Sequence, residues 1–134
     1  MNSDKTIKVK VIAGNCFGIE SKVFTLTPTL FWDVNILQAA TFQESIPVRY
    51  NAFVYILEGT IRTGENDSVV GTHGSCIVFK TEGHALKILS DNAARFVVLA
   101  GQPIGEPIIQ HGPFVMNTRE EIRQALADYQ SNKF

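Results

Sequence analysis

The stretch YNAFVYILEG, residues 50–59, is apolar on both sides of its alternation. Successive side chains of a strand point to opposite faces, so Ala52, Val54 and Ile56 form one face and Phe53, Tyr55 and Leu57 the other. Such a strand needs cover twice. One face fills the interior of a small β-structure, and the second requires another layer from the same chain or from a partner. Gly59 ends the run, and residues 60–63 followed by GEND give a hairpin signal.

Working outward, residues 7–13 alternate, and residues 30–37 place Trp32, Val34 and Ile36 opposite Asp33 and Asn35. A short strand is predicted over 23–27, and others over 76–80, 85–90 and 95–100, separated by Gly, Asp and Asn. Many short strands with such turns indicate a sandwich or barrel. Only the end of the chain differs. Thr118 stands three residues before Glu121, a capping box that starts a helix, and Ile122, Leu126 and Tyr129 recur at helical spacing. No repeat or linker interrupts the chain, so residues 1–134 are expected to form a single domain.

Composition narrows the function. Residues are 45% hydrophobic and 19% charged, with mean hydropathy +0.06 and no apolar run near the ~20 residues that span a membrane. Twelve basic and thirteen acidic side chains give a net charge of −1, and no Lys/Arg cluster is available to track a phosphate backbone. Direct binding of nucleic acid or membrane is therefore not expected. The N-terminus lacks the apolar centre of a signal peptide, which predicts a cytoplasmic protein, or a nuclear one in a eukaryote, and Met1 before unrelated polar residues reads as a true start. In that compartment Cys16 and Cys76 are expected to be free, partly buried thiols.

Four segments carry a resemblance: KVKVIAG (8–14), YNAFVYILEG (50–59), RFVVLAGQPIGEPIIQHGPFVMNTREEI (95–122) and ALADYQ (125–130). Together they resemble the C-terminal domain of the pirin family. The resemblance implies an all-β, cupin-type (RmlC-like jelly roll) β-barrel with one short C-terminal α-helix, equivalent to the second barrel of a bicupin. In such proteins the N-terminal barrel holds iron on three histidines and a glutamate, and the C-terminal barrel has lost its site, so no cofactor is expected in this chain. The resemblance also makes residues 112–118 a linker that leaves the last barrel strand and packs over the barrel. In it Gly112 and Pro113 set a turn, Phe114 and Met116 anchor, and Asn117 and Thr118 lead into the helix; Glu106 fixes the preceding loop beside Pro107, and His111 is structural.

The lost site is legible on this chain. Cupins place two histidines one residue apart, a glutamate four or five further on and a glycine seven beyond it. Counting back from Gly59 gives Ala52 at the glutamate and Ile46 and Val48 at the histidines, and the third histidine position, three beyond Gly83, is Leu86. None offers a lone pair to a metal. The remaining candidates for a metal are His73, His84 and His111. His84 is in phase with Leu86 and is expected to point inward at the barrel mouth, and His73 is expected to be exposed. No nucleophile elbow, phosphate loop or Cys-x-x-Cys pair occurs, and Glu44, Glu58, Glu82 and Glu106 are scattered as rim or turn charges.

Two functions follow. The first is a metal-free binding and interaction module, with a cavity lined by Trp32, Ala52, Val54, Leu86 and Phe96. Its Phe53/Tyr55/Leu57 face would pair with a second copy as a homodimer or with a separate metal-bearing pirin half, and the family's link to transcriptional regulation adds a protein partner in regulation. This reading makes the chain itself no enzyme. The alternative is a quercetin-type dioxygenase, which requires His73, His84 and His111 to converge.

Overall fold

In the computed structural model, residues 6–133 are described. Thirteen strands and one helix follow in chain order: β1 Ile7–Ala13, β2 Asn15–Cys16, β3 Ile19–Glu20, β4 Thr29–Ile36, β5 Ala40–Ser45, β6 Asn51–Glu58, β7 Thr60–Thr63, β8 Val69–Thr72, β9 Cys76–Val78, β10 Ala85–Ser90, β11 Ala94–Gly101, β12 Ile109–His111, β13 Phe114–Met116 and α1 Arg119–Gln130. They fall into two compact units, Met1–Pro103 and Ile104–Phe134.

In the first unit a five-stranded sheet, ordered β1-β4-β11-β6-β9, faces a four-stranded sheet, ordered β5-β10-β7-β8. All pairings are antiparallel. The two sheets are not closed into a hydrogen-bonded barrel, which corrects the barrel expected from sequence while keeping its jelly-roll layering. β8 and β9 share no ladder among the described residues. Gly71 of β8 packs so tightly on β9 and β6 that a Cβ there would lie 2.7 Å from Ile77 Cδ1 and 2.9 Å from Ile56 Cδ1. Side-chain contact, rather than a ladder, brings the sheets together on that side.

The alternation of β4 resolves as read: Leu30, Trp32, Val34 and Ile36 are buried, whereas Phe31, Asp33 and Asn35 are half-buried. In β6, Ala52, Val54 and Ile56 are buried too. From the opposite sheet comes Phe42, fully buried, whose ring lies edge-on to Trp32 (centroids 6.0 Å apart) and to Phe96 (6.0 Å). β5, which carries it, was not legible in ATFQES because only this one residue of the six is buried. Conversely, the strand predicted over 23–27 is absent. Val23, Phe24 and Leu26 are exposed, Pro28 lacks the N–H a ladder needs, and the Ser21 hydroxyl accepts from the Val23 N–H (3.0 Å) while donating to the Ile12 carbonyl (2.6 Å).

The chain passes from one sheet to the other between β6 and β7 at Gly59. Its φ is 79°, and a Cβ there would sit 2.6 Å from the Ala93 carbonyl oxygen. On the outer face of the five-stranded sheet, Arg95 donates to Asp33 through Nε (3.0 Å) and Nη2 (2.8 Å) across the β11–β4 ladder. These bonds, reinforced by the charges of Arg95 and Lys10, hold the Asp33 carboxyl below its usual range against a smaller opposing push from burial.

The second unit is a hairpin and a helix. Residues 112–118 are therefore not a plain linker: His111 pairs with Phe114 around a two-residue turn. Gly112 has φ 55°, and the fixed negative φ of Pro113 leaves a type II′ turn as the fit. Thr118 caps α1 by accepting from the Glu121 N–H (3.2 Å), while Glu121 Oε2 accepts from the Thr118 N–H (2.8 Å). Asn117 Nδ2 donates to the Pro107 carbonyl (2.9 Å) and ties the preceding loop, the role assigned to Glu106, which is exposed. Ile122 and Ala125 are buried, whereas Tyr129 is 65% exposed and stands edge-on to Phe114 at 6.1 Å.

Two outcomes test this architecture. Gly18 has φ 73° and open space around it, so Gly18→Ala should cost about 1 kcal/mol from the left-handed backbone alone. Gly59→Ala adds the collision with Ala93 and should cost about 3 kcal/mol or more in urea unfolding; equal costs would show that the crossover accommodates a side chain. For Asp33 the folded value lies below the unfolded one, so its contribution is complete above about pH 4 and is lost as pH falls through the folded value. The gap in urea midpoint between the wild type and Asp33→Asn should be flat from about pH 7 to 5 and close at lower pH.

Candidate functional site

At one end of the first unit, between the two sheets, a pocket of about 120 Å³ opens. Three of the four positions counted as lost metal ligands line it: Ile46, Ala52 and Leu86, at 9%, 6% and 4% exposure. The fourth, Val48, does not. The ungapped count assumed a continuous strand, but β5 ends at Ser45 and residues 47–50 turn, with Tyr50 N–H donating to the Pro47 carbonyl (3.2 Å) and Arg49 at φ 70°. Val48 is thereby left 60% exposed. Aliphatic carbons line the place where a cupin metal would bind, so these residues do not fit iron.

Backbone hydrogen bonds frame the pocket. The Phe79 N–H donates to the Ala52 carbonyl (2.9 Å) and the Ile46 N–H to the His84 carbonyl (3.0 Å). These two bonds anchor both ends of the loop 80–83, and Gly83, at φ 92°, turns the chain into β10. His84 stands just before β10 and opposite Ile46, and it lines the pocket as an exposed residue of its rim. Tyr50 and Phe79, half-buried, also line the pocket; sequence reasoning missed both, although each is an aromatic directly flanking a strand.

His73 and His84 stand apart. His73 Nδ1 lies 2.6 Å from the Leu57 carbonyl at the far end of β6, five residues from Ala52, which is roughly 17 Å along a strand. His73 and His84 thus occupy opposite ends of β6. His111 is exposed in the hairpin of the second unit. Among the described residues no group of three His, Cys, Asp or Glu is arranged to hold a metal ion.

The expected cavity also divides. Trp32, Val54 and Phe96 have no exposure and are packed in the core that Phe42 fills, so only Ala52 and Leu86 of the five reach the pocket. Cys16 is buried and Cys76 exposed, both as free thiols. Burial, followed by the neighbouring Glu44 carboxylate, pushes the Cys16 thiol up to about 12, away from the thiolate form that attacks. Glu44 itself is more than a rim charge: it accepts the N–H of Phe17 (2.7 Å) and of Ser45 (2.9 Å), holding the β2–β3 turn in which Phe17 adopts φ 49°.

The second face of β6 lies on the outside of the five-stranded sheet. Register aligns Phe31, Leu99, Phe53 and Val78 in one row across four strands, with Val97 and Tyr55 in the next. Phe53 is 36% exposed, Tyr55 40% and Val78 75%, whereas Leu57 is half-buried. No helix of the described residues is long and apolar enough to cross a membrane.

Comparison with known proteins places the cupin layering in a family. The pirin C-terminal cupin domain matches residues 31–134. Pirin-like protein 2 of Arabidopsis thaliana is 41% identical over 95% of this chain, and human pirin is 37% identical over 95%. A solved structure, the quercetin 2,3-dioxygenase of Acinetobacter baumannii, superposes with a TM-score of 0.82 at 30% identity over 98% of this chain. The chain spans less than half of each of these proteins: 41%, 44% and 45% of their lengths. It belongs to the pirin C-terminal cupin domain family.

Proposed function

We propose that this chain is a metal-free pirin-type cupin that works as an interaction module, pairing through the outer face of its five-stranded sheet with a second pirin-type cupin domain. The observation that carries this reading is β6, apolar on both faces, with Phe53 and Tyr55 open on the outer one beside Val78 of β9. A row of apolar side chains running across four strands is covered by another surface of similar flatness more readily than by solvent. The chain covers 41–45% of the relatives described above, so a segment at least as long accompanies this domain in them. A metal-bearing half is therefore the occupant we favour, and a symmetric homodimer is the form the same face would take alone. A regulatory role, in the cytoplasm or nucleus, would act through protein contact, because the near-neutral charge offers nothing to a nucleic-acid backbone.

The name of the Acinetobacter structure favours a second reading, a quercetin-type dioxygenase. Against it stand Ile46, Ala52 and Leu86 in place of ligands, the separation of His73 from His84, and a pocket of about 120 Å³ where drug-sized ligands take roughly 300–1,000 Å³. Any oxidative chemistry would then belong to the partner half.

Phe53→Glu should leave a folded chain, with an unchanged circular dichroism spectrum, that has lost its partner in sedimentation. An insoluble variant, or one of undiminished assembly mass, would refute the pairing face. Elemental analysis of chelator-free protein should find metal well below one atom per chain, and added Fe(II) or Zn(II) should not raise the unfolding temperature. Near-stoichiometric metal that stabilises the fold would restore the dioxygenase reading.

A further inference from the structure

We propose that the pocket between Ile46, Ala52 and Leu86 is a binding site for a neutral, single-ring aromatic molecule bearing one hydroxyl, with phenol as the simplest member of the class. This inference goes beyond the pairing role and uses a different surface. Losing the metal ligands did not close the space. Ala52, at the counted glutamate position, leaves volume that neither Phe79 nor Tyr50 fills, and the result is about 120 Å³. A dry apolar cavity of about 150 Å³ takes up benzene, so the size admits one ring and excludes a fused three-ring flavonol.

The lining sets the chemistry. Aliphatic carbons of Ile46, Ala52 and Leu86 and the aromatic rings of Phe79 and Tyr50 suit the flat apolar body of a ring. The charged side chains stand on exposed residues, where Lys80 and Glu82 bring opposite charges and His84 an imidazole. With one cation and one anion at the mouth, neither a carboxylate nor an ammonium gains a net counter-charge. A hydroxyl can both donate and accept, and it meets either kind of partner without the desolvation cost of a charge. The frame is also preformed: the two backbone bonds that anchor residues 80–83 leave that loop as the part able to adjust over a ligand.

Titration of isotope-labelled full chain with phenol, followed by amide chemical shifts, tests the site. The expected result is saturable shifts at Ile46, Ala52 and residues 79–86, with binding at least tenfold tighter than that of benzoate or benzylamine. Ala52→Leu, which fills the pocket, should abolish those shifts. If that variant loses its dispersed spectrum, Tyr50→Ala, which removes a half-buried wall, should weaken binding at least tenfold. Absence of saturable shifts at these residues, equal binding by folded Ala52→Leu, or a preference for either charged analogue would overturn the proposal. None of these results depends on the pairing face, which is read from assembly mass.

Discussion

Aromatic packing joins the two sheets. Phe42 is the largest residue that the four-stranded sheet contributes to the core, and its ring meets Trp32 and Phe96 edge-on while Phe17 closes over it at 5.7 Å. Edge-to-face pairs add about 0.5–1.5 kcal/mol each beyond the area they bury, and the burial of a ring this size is larger still. The position is demanding for its neighbours. Trp32 Nε1 is buried with no hydrogen-bond partner among the described residues, a loss of about 1–3 kcal/mol that the burial of the indole offsets. Phe17 is held in a left-handed turn by the Glu44 carboxylate, so a charged residue of β5 supports the same aromatic cluster that β5 itself supplies.

This packing holds the fold without any polar group at Ile46, Ala52 or Leu86. Apolar rings and branched side chains fill the interior, and the pocket lies one strand end away from them, where Ala52 and Leu86 border open space. The shaped opening and the apolar outer sheet sit on opposite faces of the same strand: Ala52 on one and Phe53 on the other.

Much of this was legible in the residues. The period-two patterns of β4, β6, β10 and β11 and the capping box of α1 each depend on local spacing, and each is found where the spacing placed it. Nonlocal features were less accessible. β5 reads as polar because its importance rests on Phe42 meeting rings 10 and 54 residues away in sequence. The apolar residues at 23–26 promised a strand, but alternation does not form a ladder without a neighbour, and Pro28 and Ser21 direct the chain elsewhere. At the site, the count from Gly59 found Ala52 and Ile46 correctly within the pocket and failed at Val48, where a turn interrupts the register on which counting relies.

The sheet order has a consequence for synthesis. β11 lies between β4 and β6 and pairs with both, yet it is the last of the three to be made. Until residue 101 leaves the ribosome, two strands with fully apolar inner faces have no central neighbour, and Asp33 waits for a guanidinium 62 residues downstream. Pairings of such sequence separation place a β-protein among chains that fold in milliseconds to seconds. During translation at about 5–20 residues per second, the nascent chain carries exposed β4 and β6 for several seconds. Such a chain exposes its apolar strands to chaperones before their central neighbour, β11, is made.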